Sequence, residues 1–269
     1  MMIKSLFFSL LIGGLFFLAA CDKNNNPQVF SLNQEIQLGQ QLDSTIESDP
    51  QQYPVLDPVE YADAYDYLEN IFMAILNSGE VSYRDEFPWQ IKIIQDDGTL
   101  NAFAAPGGYV YVYTGLIKYL DSEDDLAGVL GHEIGHADLR HSARNIQRQY
   151  GLSILLSVLV GENSGQLTQM AAQLASGAAG LAFSREFETE ADEKSVEYLA
   201  PTPYNCAGAG SFFQKLTEDG QSSGVPEFLS THPNPDDRLE NINEKAQEVG
   251  CSTDPYNPPS WVDFQQMLP

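Results

Sequence analysis

In SLNQEIQLGQQLDSTIES (31–48), Leu32, Ile36, Leu38, Leu42 and Ile46 recur at roughly helical spacing, and Ser31 stands where an N-cap belongs. A second helix is predicted over 58–77, with Pro58 in its first turn and Tyr61, Tyr65, Leu68, Ile71, Phe72 and Ile75 in one apolar stripe. The texture then changes. WQIKIIQDDGTLNAFAAPGGYVYVYTG alternates and is rich in β-branched and aromatic residues, which predicts short strands near 89–95, 99–104 and 109–113. Gln95 to Gly98 and Pro106 to Gly108 read as the turns between them, giving a small antiparallel sheet. From Thr114 the pattern is helical again, at 115–120, 123–145, 146–160, 165–181 and 185–199, then near 207–217 and in a final helix to about 248. The expected class is mainly α with a small antiparallel β-sheet (α+β), in a single domain over 31–269.

The N-terminus changes this picture. MMIKSLFFSLLIGGLFFLAAC has one lysine, an apolar run and then small residues, the three-part layout of a secretory signal. The run is shorter than the roughly 20 apolar residues of a membrane-spanning helix. Its end, LAAC (18–21), resembles the lipobox of bacterial lipoproteins, which implies a signal peptide over 1–20 and a lipid on Cys21. Residues 21–30 are polar and turn-prone, suited to a flexible tether. The expected setting is the bacterial cell envelope, periplasm-facing and lipid-anchored to a membrane. Cys206 and Cys251 are then an even pair outside the cytoplasm, and a disulfide between them would contribute about 4 kcal/mol by the loop-entropy account. LSILLSVLV (152–160) is far too short to span a bilayer and is expected to be a buried hairpin helix.

The formal charge is −25, from 38 acidic and 13 basic residues spread along the chain. Phosphate binding needs clustered Lys and Arg, so nucleic acid is not an expected partner.

Three of the four histidines fall in VLGHEIGHADLRH (129–141). His132, Glu133 and His136 form HExxH; on a helix, positions i and i+4 lie about 40° apart, so both imidazoles can reach one ion while Glu133 stands beside it as a base. His141, nine residues after His132, falls about 180° round a continuous helix and is expected to face away. The third ligand must then come from elsewhere, and SREFETEADEKSVEYL (184–199) is the best source. Glu188 and Asp192 share a face, so one can ligate while the other orients a histidine; Glu186, Glu190 and Glu193 are expected to be solvated. Geometry does not choose among these five carboxylates.

Four blocks in order, NAFAAPGGYVYVYTGL (101–116), VLGHEIGH (129–136), SREFETEAD (184–192) and STHPNPDDR (230–238), resemble the zinc endopeptidase family of the CAAX prenyl proteases, HtpX and the mitochondrial Oma-type proteases, and most of all its soluble periplasmic BepA- and LoiP-like branch. The resemblance implies a zincin-like metalloprotease domain holding one Zn²⁺, with His132, His136 and Glu188 as ligands, Glu133 as general base and Asp192 in support. It also places His232 near the metal, to stabilise the oxyanion, and Arg238 beside it. Unfolded or extended polypeptide is the implied substrate. Asn101, Ala102, Phe103 and Ala104 are a candidate sheet edge onto which such a peptide could add as a strand. A zinc-stabilised, chaperone-like binding lipoprotein is the alternative reading.

Overall fold

The computed structural model describes Lys23, residues 31–176, 182–223, 228, 230, 232–233, 237–256 and 258–269. The expected signal peptide, Cys21 and most of the expected tether lie outside the described residues. Helix α1 (Leu32–Glu47) opens on a reciprocal cap between Ser31 and Gln34 and buries Leu38, Leu42 and Ile46. Helix α2 (Ala62–Leu76) buries Tyr65, Leu68, Ile71, Phe72 and Ile75, the stripe expected of it.

Strands β1 (Gln90–Ile94), β2 (Ala102–Ala105) and β3 (Tyr109–Tyr113) follow, in the order β1-β3-β2. β2 pairs antiparallel with β3 (Ala102↔Val112, Ala105↔Tyr109), but β1 pairs parallel with it (Gln90↔Tyr109, Ile94↔Tyr113). The sheet is therefore mixed, not antiparallel, and 95–101 is no hairpin turn. Two features explain the difference. The outer edge of β1 is already bridged by Val55 opposite Ile94, and the 95–101 segment is docked past the end of β3, where Asp96 N–H donates to Thr114 Oγ1 at 3.0 Å and Gly115 N–H to Asp96 O at 3.1 Å. β2 consequently arrives on the far side.

Alternation along the strands divides the core in two. Ile91, Ile93, Ala102, Ala104, Val110 and Val112 pack into the larger cluster with α2 and α4, whereas Phe103, Ala105, Tyr109, Tyr111 and Tyr113 face a second cluster with α1 and later helices. A sheet covered on both faces has no polar side, which is why YVYVY is buried throughout.

Helices α3 (Thr114–Tyr119), α4 (Glu123–Asp138), α5 (His141–Leu159), α6 (Ser164–Ser176), α7 (Arg185–Leu199), α8 (Gly208–Ser223), α9 (Arg238–Val249) and α10 (Ser260–Met267) complete the described chain. The helix expected over 123–145 is in fact broken after Asp138 by Arg140, whose φ of 60° and ψ of 28° are left-handed. That conformation costs a non-glycine residue about 1 to 2 kcal/mol. Buried contacts hold it: Arg140 pairs with Glu35 of α1, and the Asp138 carboxylate accepts the N–H groups of Ser82 and Tyr83 at 3.0 and 2.7 Å and the Tyr198 hydroxyl at 2.7 Å. The break expected near 145 is absent, and α5 instead kinks at Gly151.

Among the described residues no helix is long and apolar enough to cross a membrane. Of the 152–160 run, Leu155, Val158 and Leu159 are buried, while Leu156 and Val160 are exposed. Helix α10 was not expected; it buries Trp261 and Phe264, the latter stacked on Tyr67 at 4.4 Å. A disulfide joins Cys206, just before α8, to Cys251, just after α9.

Candidate metal centre

Helix α4 runs through the middle of the molecule with every residue buried. Its first turn carries Glu123, Asp124 and Asp125, acids that complement the positive end of the helix. They also anchor it: Asp124 accepts the N–H groups of Asn205 and Tyr256 at 2.9 and 2.6 Å, and Asp125 accepts the Ser211 hydroxyl. Glycines let its neighbours approach. A Cβ on Gly128 would lie 2.1 Å from Ala209 N, and one on Gly131 would lie 2.6 Å from Ser195 Oγ. α7 and α8 thus pack against α4 at backbone distance, which carries Glu188 up to the two histidines.

His132 and His136 present their Nε2 atoms to one point, 3.0 Å apart. Glu188 closes the third side, with Oε1 3.3 Å from His136 Nε2 and Oε2 3.5 Å from His132 Nε2. His232 adds a fourth, its Nδ1 3.3 Å from His132 Nε2 and 3.2 Å from Glu188 Oε1. All four are buried, and their ligand atoms lie within 4.8 Å of one another. Ligands held about 2.0 to 2.1 Å from a tetrahedral zinc sit roughly 3.3 Å apart, so the spacing fits one ion. Phe183 stacks on His136 at 3.8 Å and Phe228 on His232 at 4.3 Å, closing the cluster with apolar surface.

Glu133, on the same helix, is fully buried and neither of its carboxylate oxygens has a hydrogen-bond partner. Burial raises its pKa above the usual carboxylate range. Glu188 is the opposite case. Burial opposes its charge, but the adjacent His232 and hydrogen bonds from the three imidazoles hold it well below that range. Burial, followed by the charge of His132, drives His136 well below its ordinary 6.5. For His132, burial is outweighed by hydrogen bonds to Asp192 and Glu188, and its pKa is pushed up to about 9.

Asp192, one turn along α7 from Glu188, lies 2.8 Å from His132 Nδ1. Arg238 at the start of α9 bridges both acids, with Nη2 2.6 Å from Asp192 Oδ1 and 3.2 Å from Glu188 Oε2, and its guanidinium lies 3.3 Å from the centre of the Phe213 ring. His132, Glu133, His136, Glu188, Asp192, His232 and Arg238 therefore converge. Asn101, Ala102, Phe103 and Ala104 lie at the sheet edge and are buried, with Asn101 donating to Ala175 O at 3.3 Å and Ala104 O accepting the Ser142 hydroxyl at 2.6 Å.

Two expectations fail together. His141 does not face away: the break at Arg140 turns α5 back, and His141 Nδ1 comes within 3.0 Å of His136 Nδ1. Glu190 is not simply solvated, since its Oε2 lies 2.9 Å from His141 Nε2. Neither a glycine nor a proline marks the break in HADLRH, so no local signal announced it.

Paired histidines one turn apart, a carboxylate from a second helix and, beside them, a buried carboxylate with no hydrogen-bond partner make a centre of the metallohydrolase class. The chain belongs to peptidase family M48, which residues 64–246 match. Zinc is the metal of this family, and the four ligand atoms suit one ion. The chain is 33% identical over 172 residues to the β-barrel assembly-enhancing protease of Yersinia pestis, covering 60% of this chain and 35% of that protein. It is 34% identical over 172 residues to the mitochondrial metalloendopeptidase OMA1 of Schizosaccharomyces pombe, covering 63% and 50%, and 32% identical over 172 residues to the β-barrel assembly-enhancing protease of Escherichia coli, covering 60% and 35%. The chain thus aligns with a third to a half of the length of these relatives.

Proposed function

We propose that this protein is a zinc-dependent endopeptidase of the bacterial cell envelope, held to a membrane by lipid on Cys21, that hydrolyses peptide bonds in misfolded or unassembled proteins. The observation that carries the reading is Glu133: a buried carboxylate with no hydrogen-bond partner, its Oε1 3.5 Å from His232 Nε2 and its pKa raised by burial, beside the ligand cluster. Such a group is poised to take a proton from attacking water and return it to the leaving amine. Zinc held by His132, His136 and Glu188 supplies the Lewis acidity that acidifies water and polarises a carbonyl. Asp192 and Arg238 fix the ligands, and His232 is the donor for the oxyanion. The β2 edge at Asn101 to Ala104 is the candidate docking strand for an extended peptide, which would have to displace the Ser142 hydroxyl from Ala104 O. The names of the Yersinia and Escherichia relatives support the envelope setting, and the LAAC sequence supports the lipid.

Purified protein is expected to bind about one zinc and cleave casein, an unfolded substrate, while Glu133→Gln keeps its fold and zinc but loses activity by about 10²- to 10⁴-fold. Undiminished cleavage by that variant would reject the assigned base. Cys21→Ser is expected to move the protein from the membrane to the soluble fraction.

A second reading, a latent or chaperone-like lipoprotein, is favoured by one distance. His232 Nδ1 stands 3.3 Å from His132 Nε2, in the fourth ligand position that a hydrolytic site leaves for water. Latency predicts that His232→Ala raises casein cleavage; catalysis by His232 predicts that it lowers it.

A further inference from the structure

The two ligand histidines are held in different ways. A histidine that ligates through Nε2 carries its proton on Nδ1, and the group that accepts this proton fixes the tautomer and the ring orientation. His132 has Asp192, a buried carboxylate, at 2.8 Å. His136 has another imidazole: the atom 3.0 Å from its Nδ1 is Nδ1 of His141. For that contact to be a hydrogen bond, His141 must accept at Nδ1 and carry its own proton on Nε2. Nε2 lies 2.9 Å from Glu190 Oε2. Each donor then meets one acceptor: His136 Nδ1–H to His141 Nδ1, and His141 Nε2–H to Glu190.

The surroundings suit a fixed ring. His141 is fully buried and stacks on Phe187 with centroids 4.1 Å apart and planes 1° from parallel. The Glu190 side chain keeps 40% of its surface exposed, so water solvates the far end of the chain of bonds. Helix α7 thus supplies three acids two residues apart, Glu188, Glu190 and Asp192, that reach the cluster directly, through His141 and through His132.

We infer that His141 and Glu190 form a positioning relay for His136, setting its tautomer and ring orientation so that Nε2 is presented to the metal. The inference rests on the metal centre and not on peptide hydrolysis.

The rival is that His141 merely fills space between aromatic rings. Zinc affinity, measured by chelator competition on the full chain, separates the two. His141→Phe keeps an aromatic ring against Phe187 and removes the acceptor; the relay predicts a loss of about 10- to 100-fold in zinc affinity. His141→Asn removes the ring but places an amide oxygen near the Nδ1 position, and should bind zinc more tightly than His141→Phe. A space-filling role reverses that order. Glu190→Ala should weaken zinc several-fold and Glu190→Gln, which keeps an acceptor, distinctly less. The visible absorption of the cobalt(II) form should shift in His141→Phe relative to wild type. Wild-type affinity in His141→Phe overturns the relay. Should that variant fail to fold, wild-type affinity in Glu190→Ala does so. Failure of the wild type to bind zinc at all would instead sink the proposed function.

Discussion

The Asp192 carboxylate and the His132 imidazole meet at 2.8 Å, Oδ1 to Nδ1, and no other described carboxylate reaches that nitrogen within 4.0 Å. The contact leaves Nε2 free to face Glu188 and His136. Asp192→Asn preserves the shape but replaces an acceptor-only group with an amide that can also donate to Nδ1 and so favours the wrong tautomer. Zinc affinity is expected to fall about 10- to 100-fold with the fold intact, as removal of a ligand's supporting partner typically does. Chelator competition gives the number, and a variant binding zinc as the wild type does would show that His132 needs no such orientation.

The same contact makes the site sensitive to pH. In the metal-free protein His132 is pushed up to about 9, so it holds a proton at pH 7.5 that zinc must displace. About one proton should be released per zinc at that pH, and almost none well above pH 9; calorimetry in buffers of different ionisation enthalpy measures this. Stability follows with a definite sign. Because the folded pKa exceeds the unfolded value near 6.5, the contribution is fully present below about pH 6.5 and is lost as pH rises through about 9. Glu133, raised by burial, acts in the same direction above its unfolded pKa. His136, lowered well below 6.5, withdraws stability only as pH falls below 6.5, outside that window. The melting temperature of chelator-treated protein should therefore drop between pH 6.5 and 9.

Much of this centre was legible in the sequence because helical spacing is local information. HExxH fixes its two imidazoles by geometry alone, and the four-residue separation of Glu188 and Asp192 put both on one face of α7. Choosing Glu188 as ligand took the family resemblance. What escaped depended on contacts far along the chain. The left-handed turn at Arg140 is held by Glu35, more than a hundred residues upstream, and by the contacts of Asp138 with Ser82, Tyr83 and Tyr198. Reading 123–145 as one helix therefore placed His141 on the wrong side. The parallel pairing of β1 with β3 escaped for a related reason: a turn sequence shows that the chain reverses, not which neighbour it will pair with.

Gly128 sets two tendencies against each other. Alanine favours a helix interior over glycine by about 0.8 to 1 kcal/mol, which would stabilise α4. The added Cβ, however, would stand 2.1 Å from Ala209 N and 2.5 Å from Gly208 C, backbone atoms that cannot rotate away. Overpacking of a tight core costs about 1 to 3 kcal/mol or more, so the clash should win. Gly128→Ala is expected to be less stable than wild type in urea unfolding, and a stabilised variant would mean that α4 and α8 separate easily.

The disulfide offers a test in which stability and metal binding should part company. Cys206 and Cys251 are 45 residues apart, and the loop they close contains α8, His232 and α9 with Arg238 at its start. Restricting a loop of that length in the unfolded chain is worth about 4 kcal/mol by the entropy account. The double variant Cys206→Ala, Cys251→Ala should lose about that much in urea unfolding of the metal-free protein, under conditions where two-state behaviour has been checked. In the folded state His132, His136 and Glu188 are set by α4 and α7, which the bridge does not join. Zinc affinity of the folded double variant should therefore stay within a few-fold of wild type, because the bridge acts mainly on the unfolded ensemble. A large loss of affinity at little cost in stability would reverse that assignment and make the bridge a support of His232 and Arg238.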